Sequence, residues 1–161
     1  MTTPPKQKIM PCLWYDNQAE EAVNHYISIF RDGKINSITR YGDAGPGPKG
    51  SVLTVAFELA GQQFLALNGG PIFKFTEAIS LIIDCKDQAE VDELWEKLSE
   101  GGSKSQCGWL KDKYGLSWQV VPSVVAAMVQ DPDPEKNARF MSAMFKMQKL
   151  DIAVLKAAYD G

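Results

Sequence analysis

Apolar and polar residues alternate or recur at helical spacing along this chain in an order that occurs twice. In the first copy, a short apolar run precedes a stretch with apolar residues at helical spacing, and three alternating stretches follow. Ala60-Gly61 joins the last two of these stretches as a hairpin. The first copy therefore predicts a strand over 9–15, a helix over 20–30, and strands over 35–41, 51–59 and 63–67.

The second copy begins after Asn68-Gly-Gly-Pro71, a segment that breaks both patterns and marks the boundary between the copies. The tripeptide Gln-Ala-Glu stands at the start of the helical stretch in each copy, at 18–20 and at 88–90. The second copy predicts a strand over 78–85, a helix over 88–98, a closing hairpin over 106–110 and 116–121, and a fourth short strand near Lys104.

Beyond Pro122 the spacing becomes helical, and we predict a C-terminal helical extension that starts with a short helix over 124–129. Asp133 followed by Pro134 indicates the start of a second helix, and Asp151 indicates the start of a third. A methionine-rich face in this region is more typical of core packing or a subunit interface than of a ligand groove. The members of that face are Phe140, Met141, Met144, Phe145 and Met147.

These elements together predict an α+β fold in a single domain that spans residues 1–161. Two βαβββ modules, over 8–68 and 77–122, are expected to form a curved, partly open, barrel-like sheet. The helical extension over 123–161 follows the second module. A pocket of such a doubled fold is expected in its interior, between the modules.

Composition and charge exclude several classes of function. The 161 residues are 45% hydrophobic and 23% charged with a net charge of −3, which argues against a nucleic-acid-binding surface. The apolar runs are too short to cross a membrane, and residues 1–6 lead into no apolar signal-peptide region. Three cysteines without metal-type spacing, Cys12, Cys85 and Cys107, indicate reduced thiols. We therefore expect a cytoplasmic protein.

Several segments together resemble one known family. They are Pro11–Ala22 with His25-Tyr26, Ala66–Pro71, Asp112–Gln119, Asp131–Lys136 and Lys149–Ile152. This combination resembles the PhnB-like proteins, a branch of the vicinal oxygen chelate superfamily that includes glyoxalase I and the bleomycin-resistance proteins. The branch carries the description "3-demethylubiquinone-9 3-methyltransferase". The resemblance covers nearly the whole chain and implies the same paired-module fold.

The methyltransferase activity in that description is not predicted by the residues. A methyltransferase must cradle S-adenosylmethionine, usually at a glycine-rich turn that leads from a strand into a helix. The glycine-rich segment 42–50 lies between two predicted strands instead, and Pro46 and Pro48 lack the N–H groups that such a cradle needs. We interpret this segment as a hairpin loop that covers the pocket, and we predict no S-adenosylmethionine site.

The resemblance also implies a divalent metal, held by His, Glu or Gln side chains from the first and last strands of each module. At the matching positions this chain has Ser80 and Gln119 in the second module and Leu65 in the first. The opening strand offers either Met10, Cys12 and Trp14 or, in the other register, Pro11, Leu13 and Tyr15. The single histidine, His25, lies on a predicted helix, and Glu77 is the one carboxylate near a strand edge. We therefore predict no metal and no other cofactor.

What remains is a prediction of a pocket lined by aromatic and a few polar groups. Trp109 offers a stacking surface and Asn68 a hydrogen-bond partner, whereas Trp118 is expected to face the helices. The full set of predicted pocket residues is Cys12, Trp14, Asn68, Glu77, Ser80, Trp109 and Gln119. Cys12 is not predicted to be catalytic, because no His or Lys is placed to activate it, and the sequence assigns no other catalytic residue.

Three functions fit these expectations. The first is a module that binds a small organic molecule in a metal-free pocket, as the bleomycin-resistance branch does. The second is a metal-dependent lyase, isomerase or dioxygenase of the vicinal oxygen chelate type, and the third is a protein whose main role is its own dimer. We expect a homodimer in each case, and the modules could pair within one chain or across two.

Overall fold

The computed structural model describes residues 6–161, which fold as two compact units that meet in sequence at Lys74 and Phe75. Each unit contains a four-stranded mixed sheet, and helices at the C-terminus complete the second unit. The predicted α+β class with a repeated module is therefore confirmed. No helix within residues 6–161 has the length and apolar character needed to span a bilayer. The prediction about a signal peptide concerns residues 1–6, which lie outside the described part except for Lys6.

The first unit has the predicted order of strand, helix and three strands. Its elements are β1 (Cys12–Tyr15), α1 (Ala19–Ile29), β2 (Lys34–Arg40), β3 (Val52–Leu59) and β4 (Gln62–Asn68). The strands lie in the order β1-β4-β3-β2, with β1 parallel to β4 and the other neighbours antiparallel. Ala60 and Gly61 both have positive φ angles, of 49° and 78°, as a two-residue hairpin turn requires.

Side chains of β1 alternate between the helix-covered face of this sheet and its open face. Leu13 and Tyr15 are buried, and the Tyr15 hydroxyl lies 3.1 Å from the Tyr26 hydroxyl of α1. Cys12 is exposed and Trp14 half-buried, which follows from the period of two along a strand. Of the two registers left open by the sequence, the set of Met10, Cys12 and Trp14 faces away from the helix.

The second unit repeats this arrangement and adds the C-terminal helices. Its first elements are β5 (Ser80–Cys85), α2 (Gln88–Ser99), β6 (Ser103–Lys104), β7 (Trp109–Lys111) and β8 (Ser117–Pro122). The strand order β5-β8-β7-β6 matches that of the first sheet, again with the first strand parallel to its neighbour. Cys12 pairs with Leu65, and Ile82 pairs with Gln119. Cys12 and Ile82 stand at the same distance before the repeated Gln-Ala-Glu, so the sequence repeat is also a structural repeat.

The predicted strand over 106–110 is wrong in its first part, because β7 begins only at Trp109. Cys107 and Gly108 have positive φ angles of 58° and 81°, which a strand does not accommodate. Their N–H groups instead donate to the carbonyls of Met147 and Gln148, at 2.9 and 2.7 Å. The segment is therefore a turn held by the C-terminal extension. The predicted first strand is similarly shortened, since β1 begins at Cys12.

Three helices form the extension, at the predicted positions. They are α3 (Val124–Val129), α4 (Pro134–Met144) and α5 (Ile152–Asp160). Asp133 and Asp151 accept hydrogen bonds from backbone N–H groups of the first turns of α4 and α5, which confirms both predicted caps. A separate apolar core forms here, and Met141, Met144 and Met147 pack against it. The buried residues of that core are Val125, Met128, Phe140, Leu150 and Leu155.

Candidate functional site

A row of three side chains crosses the open face of the second sheet. Gln119 on β8 pairs in register with Ile82 on β5 and with Trp109 on β7. Residues directly opposite on neighbouring strands point to the same side of a sheet. The intervening residues Leu110 and Trp118 are buried on the other face, which carries α2. Gln119 therefore lies at the centre of the open face, with the Trp109 indole on one side.

Ser80 lies on the same face and fixes the Gln119 side chain. The Gln119 Nε2 donates a hydrogen bond to the Ser80 Oγ at 2.8 Å. Ser80 stands two residues before Ile82 on β5, so the alternation of the strand places its hydroxyl on the same side. Within residues 6–161, this is the hydrogen bond that the Gln119 side chain makes, and its amide oxygen accepts none. Ser80, Trp109 and Gln119 are thus the predicted pocket residues that the structure brings together.

Trp109 and Gln119 line a cavity of about 530 Å³ that is formed within the second unit. This volume lies in the range of small-molecule pockets. Ile82 and Val121 complete the sheet side of the cavity, and the turn before β7 contributes Ser105, Gln106 and Cys107. The remaining lining residues come from the extension and are Val125, Val129, Met144, Phe145 and Leu150.

The lining is uncharged and mostly apolar. Twelve residues in the described part of the chain line the cavity, and they include no Asp, Glu, Lys, Arg or His. Burial raises the pKa of the Cys107 thiol, so this group is also neutral at physiological pH. The lining side chains with hydrogen-bonding N or O atoms are those of Trp109 and Gln119 on the sheet and of Ser105 and Gln106 in the turn. An arrangement of this kind suits a neutral molecule with an apolar body and one polar edge.

Two further predicted pocket residues, Cys12 and Trp14, lie on the open face of the first sheet. The Trp14 Nε1 donates to the Gly70 carbonyl at 2.9 Å, and the Trp14 ring meets Phe73 edge-on at a centroid distance of 4.9 Å. Gly69 permits this packing, because a Cβ there would lie 2.2 Å from the indole ring. Desolvation raises the pKa of the exposed Cys12 thiol. Neither residue lines the cavity of the second unit.

Asn68 is buried at the end of β4, and its side chain connects three elements of the first unit. Its Oδ1 accepts the Ala19 N–H at the start of α1 at 2.8 Å, and its Nδ2 donates to the Val52 carbonyl at 3.1 Å. The Asn68 carbonyl accepts the Tyr41 hydroxyl at 2.6 Å, next to the loop over 42–50. That loop connects two antiparallel strands, β2 and β3, in agreement with the hairpin loop predicted there.

Glu77 lies just before β5 and is paired with a lysine. Its Oε1 lies 2.5 Å from the Lys111 Nζ, and both side chains are exposed. The hydrogen bond from Lys111 is the main reason why the pKa of the Glu77 carboxyl is lowered. Glu77 is not among the residues that line the cavity.

The residues at the positions of the family's metal ligands do not fit a divalent cation. Ser80 and Gln119 supply a hydroxyl and an amide, hydrogen-bonded to each other, whereas such cations prefer carboxylate, imidazole or several converging oxygens. Within residues 6–161, no three His, Cys, Asp or Glu side chains are grouped so that they could hold a metal ion. The groups that this face presents are an amide, a hydroxyl and an indole.

The residues of the extension that line the cavity were not predicted from the sequence. The methionine-rich face was expected to serve core packing or a subunit interface rather than a ligand groove, and Met141, Met144 and Met147 do pack against the helical core. Met144 also reaches the cavity, and Phe145 is exposed at its wall. Because a strand was predicted over 106–110, the turn at Cys107 and Gly108 that contacts the extension was not predicted. The pair Cys107-Gly108 was the available signal, since glycine often marks a turn or a close approach of two backbones.

Comparison with known proteins identifies the family. The sequence profile described as 3-demethylubiquinone-9 3-methyltransferase matches residues 7–121. A search of proteins with curated descriptions found no match. Among solved structures, a PhnB protein from Bacillus cereus is 38% identical with a TM-score of 0.66, over 72% of this chain and 99% of that chain. A protein from Pseudomonas aeruginosa shares the fold at 20% identity and a TM-score of 0.61, over 73% of this chain and 98% of that chain. The chain therefore belongs to the 3-demethylubiquinone-9 3-methyltransferase family of PhnB-like proteins, as its sequence predicted.

Proposed function

We propose that this protein binds a neutral small organic molecule, without a metal, in the cavity of the second unit. The observation that carries the proposal is the cavity of about 530 Å³ with the Trp109–Gln119 pair on its floor. An indole beside a fixed amide offers one stacking surface and one directional hydrogen-bonding group. This combination favours an aromatic or heteroaromatic ligand with a hydroxyl, N–H or carbonyl at one edge.

We expect a neutral ligand because the residues that line the cavity carry no charge. An ionised group that enters a site without a charged partner loses its hydration and gains little in return. Gln119 is held by Ser80, so its amide is oriented before a ligand arrives and little side-chain entropy is lost on binding. The apolar walls then supply the free energy of association through the burial of the body of the ligand.

A fluorescence titration tests the proposal, with N-phenyl-1-naphthylamine as a neutral aromatic probe. We expect saturable binding that is weakened about tenfold by Trp109→Phe and by Gln119→Ala, the loss expected for one stacking or hydrogen-bonding contact. Trp14→Phe is the matched control, because Trp14 lies outside the cavity and should leave the affinity unchanged. Equal affinity in the wild type and the Trp109→Phe variant would contradict the proposal.

Metal analysis of the purified protein tests the metal-free part of the proposal. We expect no stoichiometric Mn, Fe, Ni or Zn, because Ser80 and Gln119 supply no charged ligand. Stoichiometric metal that disappears in the double variant Glu77→Ala, Gln119→Ala would contradict this part. It would favour the metal-dependent lyase, isomerase or dioxygenase reaction considered from the sequence.

The proposed setting is a homodimer in the cytoplasm. Three free cysteines support a reducing compartment. Exposed apolar side chains, Ile72, Phe73 and Ile79 among them, support a subunit interface. Sedimentation velocity measures whether the protein is a dimer. A monomer at micromolar concentration would contradict the proposed homodimer.

A further inference from the structure

We propose that the C-terminal extension, residues 123–161, is the specificity element of this cavity: it forms the wall that restricts the cavity to neutral ligands. This inference rests on the binding function proposed above. The extension is outside the region that the family profile matches, which ends at residue 121. The match with the Bacillus cereus PhnB protein covers 99% of that chain and 72% of this one.

The extension is attached to the second unit by two sets of contacts in the connection between α4 and α5. In the first set, the N–H groups of Cys107 and Gly108 donate to the carbonyls of Met147 and Gln148. Gly108 allows this close approach, since a Cβ at this position would lie 3.2 Å from the Leu150 side chain and 2.7 Å from the Val120 carbonyl oxygen on β8. Backbone contacts of this kind hold the connection between α4 and α5 in a defined place against the sheet.

In the second set, α2 binds the segment that leads into α5. The Gln88 Nε2 donates to the Leu150 carbonyl at 3.1 Å, and its Oε1 accepts the Ile152 N–H at 2.8 Å. The Lys149 Nζ also lies 2.8 Å from an Asp92 carboxylate oxygen. Because these contacts fix the connection between α4 and α5, the cavity-lining residues in and beside it, Phe145 and Leu150 among them, form a positioned wall rather than a loose cover.

The chemistry of this wall differs from that of the floor. Every cavity-lining residue of the extension is apolar: Val125, Val129, Met144, Phe145 and Leu150. The polar atoms come instead from the floor and the adjacent turn, where Gln119 is central. A ligand is therefore oriented with its polar edge toward Gln119 and its apolar body against the extension, so the extension selects the size and charge of that body.

Two wall residues are suited to a test because they are partly exposed and tolerate substitution. Phe145 is 60% exposed and Val129 is 46% exposed, although both line the cavity. Val154 on α5 is 49% exposed and does not line the cavity, which makes it a matched control on the same extension. Substitutions at such positions usually have little effect on the free energy of unfolding.

The experiment uses two probes that share one scaffold, neutral N-phenyl-1-naphthylamine and anionic 8-anilino-1-naphthalenesulfonate, with the full chain. We expect Phe145→Ala to weaken binding of the neutral probe about fivefold or more through lost apolar contact. Val129→Lys should shift the ratio of the two affinities about tenfold toward the anionic probe, because it adds a cation to an uncharged wall. Val154→Ala and Val154→Lys should leave affinities and ratio within about twofold.

The outcomes separate the two proposals. If the Phe145 and Val129 variants behave as the Val154 variants do while Trp109→Phe still weakens binding, the extension is not a specificity element and the binding function stands. If the wild type does not bind the neutral probe, or binds it without dependence on Trp109, both proposals fail. Thermal unfolding of each variant, followed by circular dichroism, confirms that the variants are folded.

Discussion

The carboxylate of Asp112 accepts a hydrogen bond from the indole N–H of Trp118 at 2.9 Å, and these side chains are only 2% and 3% exposed. The other carboxylate oxygen accepts the backbone N–H groups of Tyr114 and Leu116, at 2.9 and 3.1 Å. One buried side chain therefore organises the turn that joins β7 and β8. Since Trp109 and Gln119 lie on these two strands, the same carboxylate sets the geometry of the cavity floor.

Replacement of Asp112 by alanine is expected to lower the free energy of unfolding by about 2–4 kcal/mol, because two buried donors and one half-buried donor lose their acceptor. Urea denaturation measures the change. The control is a double-mutant cycle with Trp118→Phe, which removes one donor and retains an aromatic ring. We expect the double variant to be destabilised by less than the sum of the two single variants, because both substitutions remove the same hydrogen bond. Strictly additive effects would show that the hydrogen bond between these side chains contributes nothing.

Asn68→Ala is expected to destabilise the first unit by about 1–3 kcal/mol, because the Ala19 N–H and the Val52 carbonyl are both left without their partner. Chemical denaturation followed through far-ultraviolet circular dichroism reports the loss. Asn17→Ala is the matched control: Asn17 is exposed at the same end of α1, and its loss should cost less than about 0.5 kcal/mol. Equal costs at both positions would contradict a role of Asn68 in holding α1.

The periodicity of the sequence was sufficient to predict most of this fold. Two modules with the same order of elements, the helix boundaries near Gln88 and the caps at Asp133 and Asp151 are all as expected. These features depend on residues close together in the chain, where apolar spacing and capping preferences act directly. The orientation of two side chains on β8 could also be predicted, because alternation along the strand places Trp118 and Gln119 on opposite faces of the sheet.

The wall of the cavity depends on contacts between distant segments and was therefore not predicted. The apolar residues of α4 show that a face is buried, but they do not show which surface covers it. Cys107 is the second difficulty, since its positive φ angle is unfavourable for a non-glycine residue and local preference points to a strand instead. Tertiary hydrogen bonds to the carbonyls beyond α4 override that preference.

Stability above pH 9 should depend on Cys85. Burial, reinforced by the negative charge of Glu90, raises the pKa of this thiol from its ordinary value of 9.0 to about 12. An unfolded chain loses the Cys85 proton at lower pH than the folded chain does, so ionisation favours unfolding as the pH rises from about 9 toward 12. The contribution of Cys85 is complete below pH 9 and decreases by about 1.4 kcal/mol per pH unit at most above it.

Denaturation of the wild type and of Cys85→Ala between pH 8 and about 10.5 measures this dependence. The variant lacks the buried sulfur at every pH, so a constant part of the difference reflects packing. We expect the advantage of the wild type over Cys85→Ala to shrink as the pH rises. A constant difference across the whole range would mean that the thiol titrates normally in the folded protein.

The two glutamines of the repeated Gln-Ala-Glu, Gln18 and Gln88, have different surroundings. Gln88 donates to Leu150, accepts from Ile152 and also donates to the Asp92 carboxylate, whereas Gln18 is exposed at the start of α1. Gln88→Ala should lower the free energy of unfolding by about 1–3 kcal/mol, and Gln18→Ala should change it by less than about 0.5 kcal/mol.

The same pair of variants connects stability with binding. Leu150 lines the cavity, and its carbonyl accepts a hydrogen bond from the Gln88 side chain. Loss of that side chain therefore loosens the part of the cavity wall that Leu150 forms. A looser wall must be ordered again when a ligand binds, and this lowers affinity without the loss of any direct contact. We therefore expect Gln88→Ala, under conditions where it remains folded, to weaken binding of N-phenyl-1-naphthylamine severalfold, while Gln18→Ala binds it as the wild type does. Unchanged affinity in a measurably destabilised Gln88→Ala protein would show that the wall keeps its geometry without this attachment.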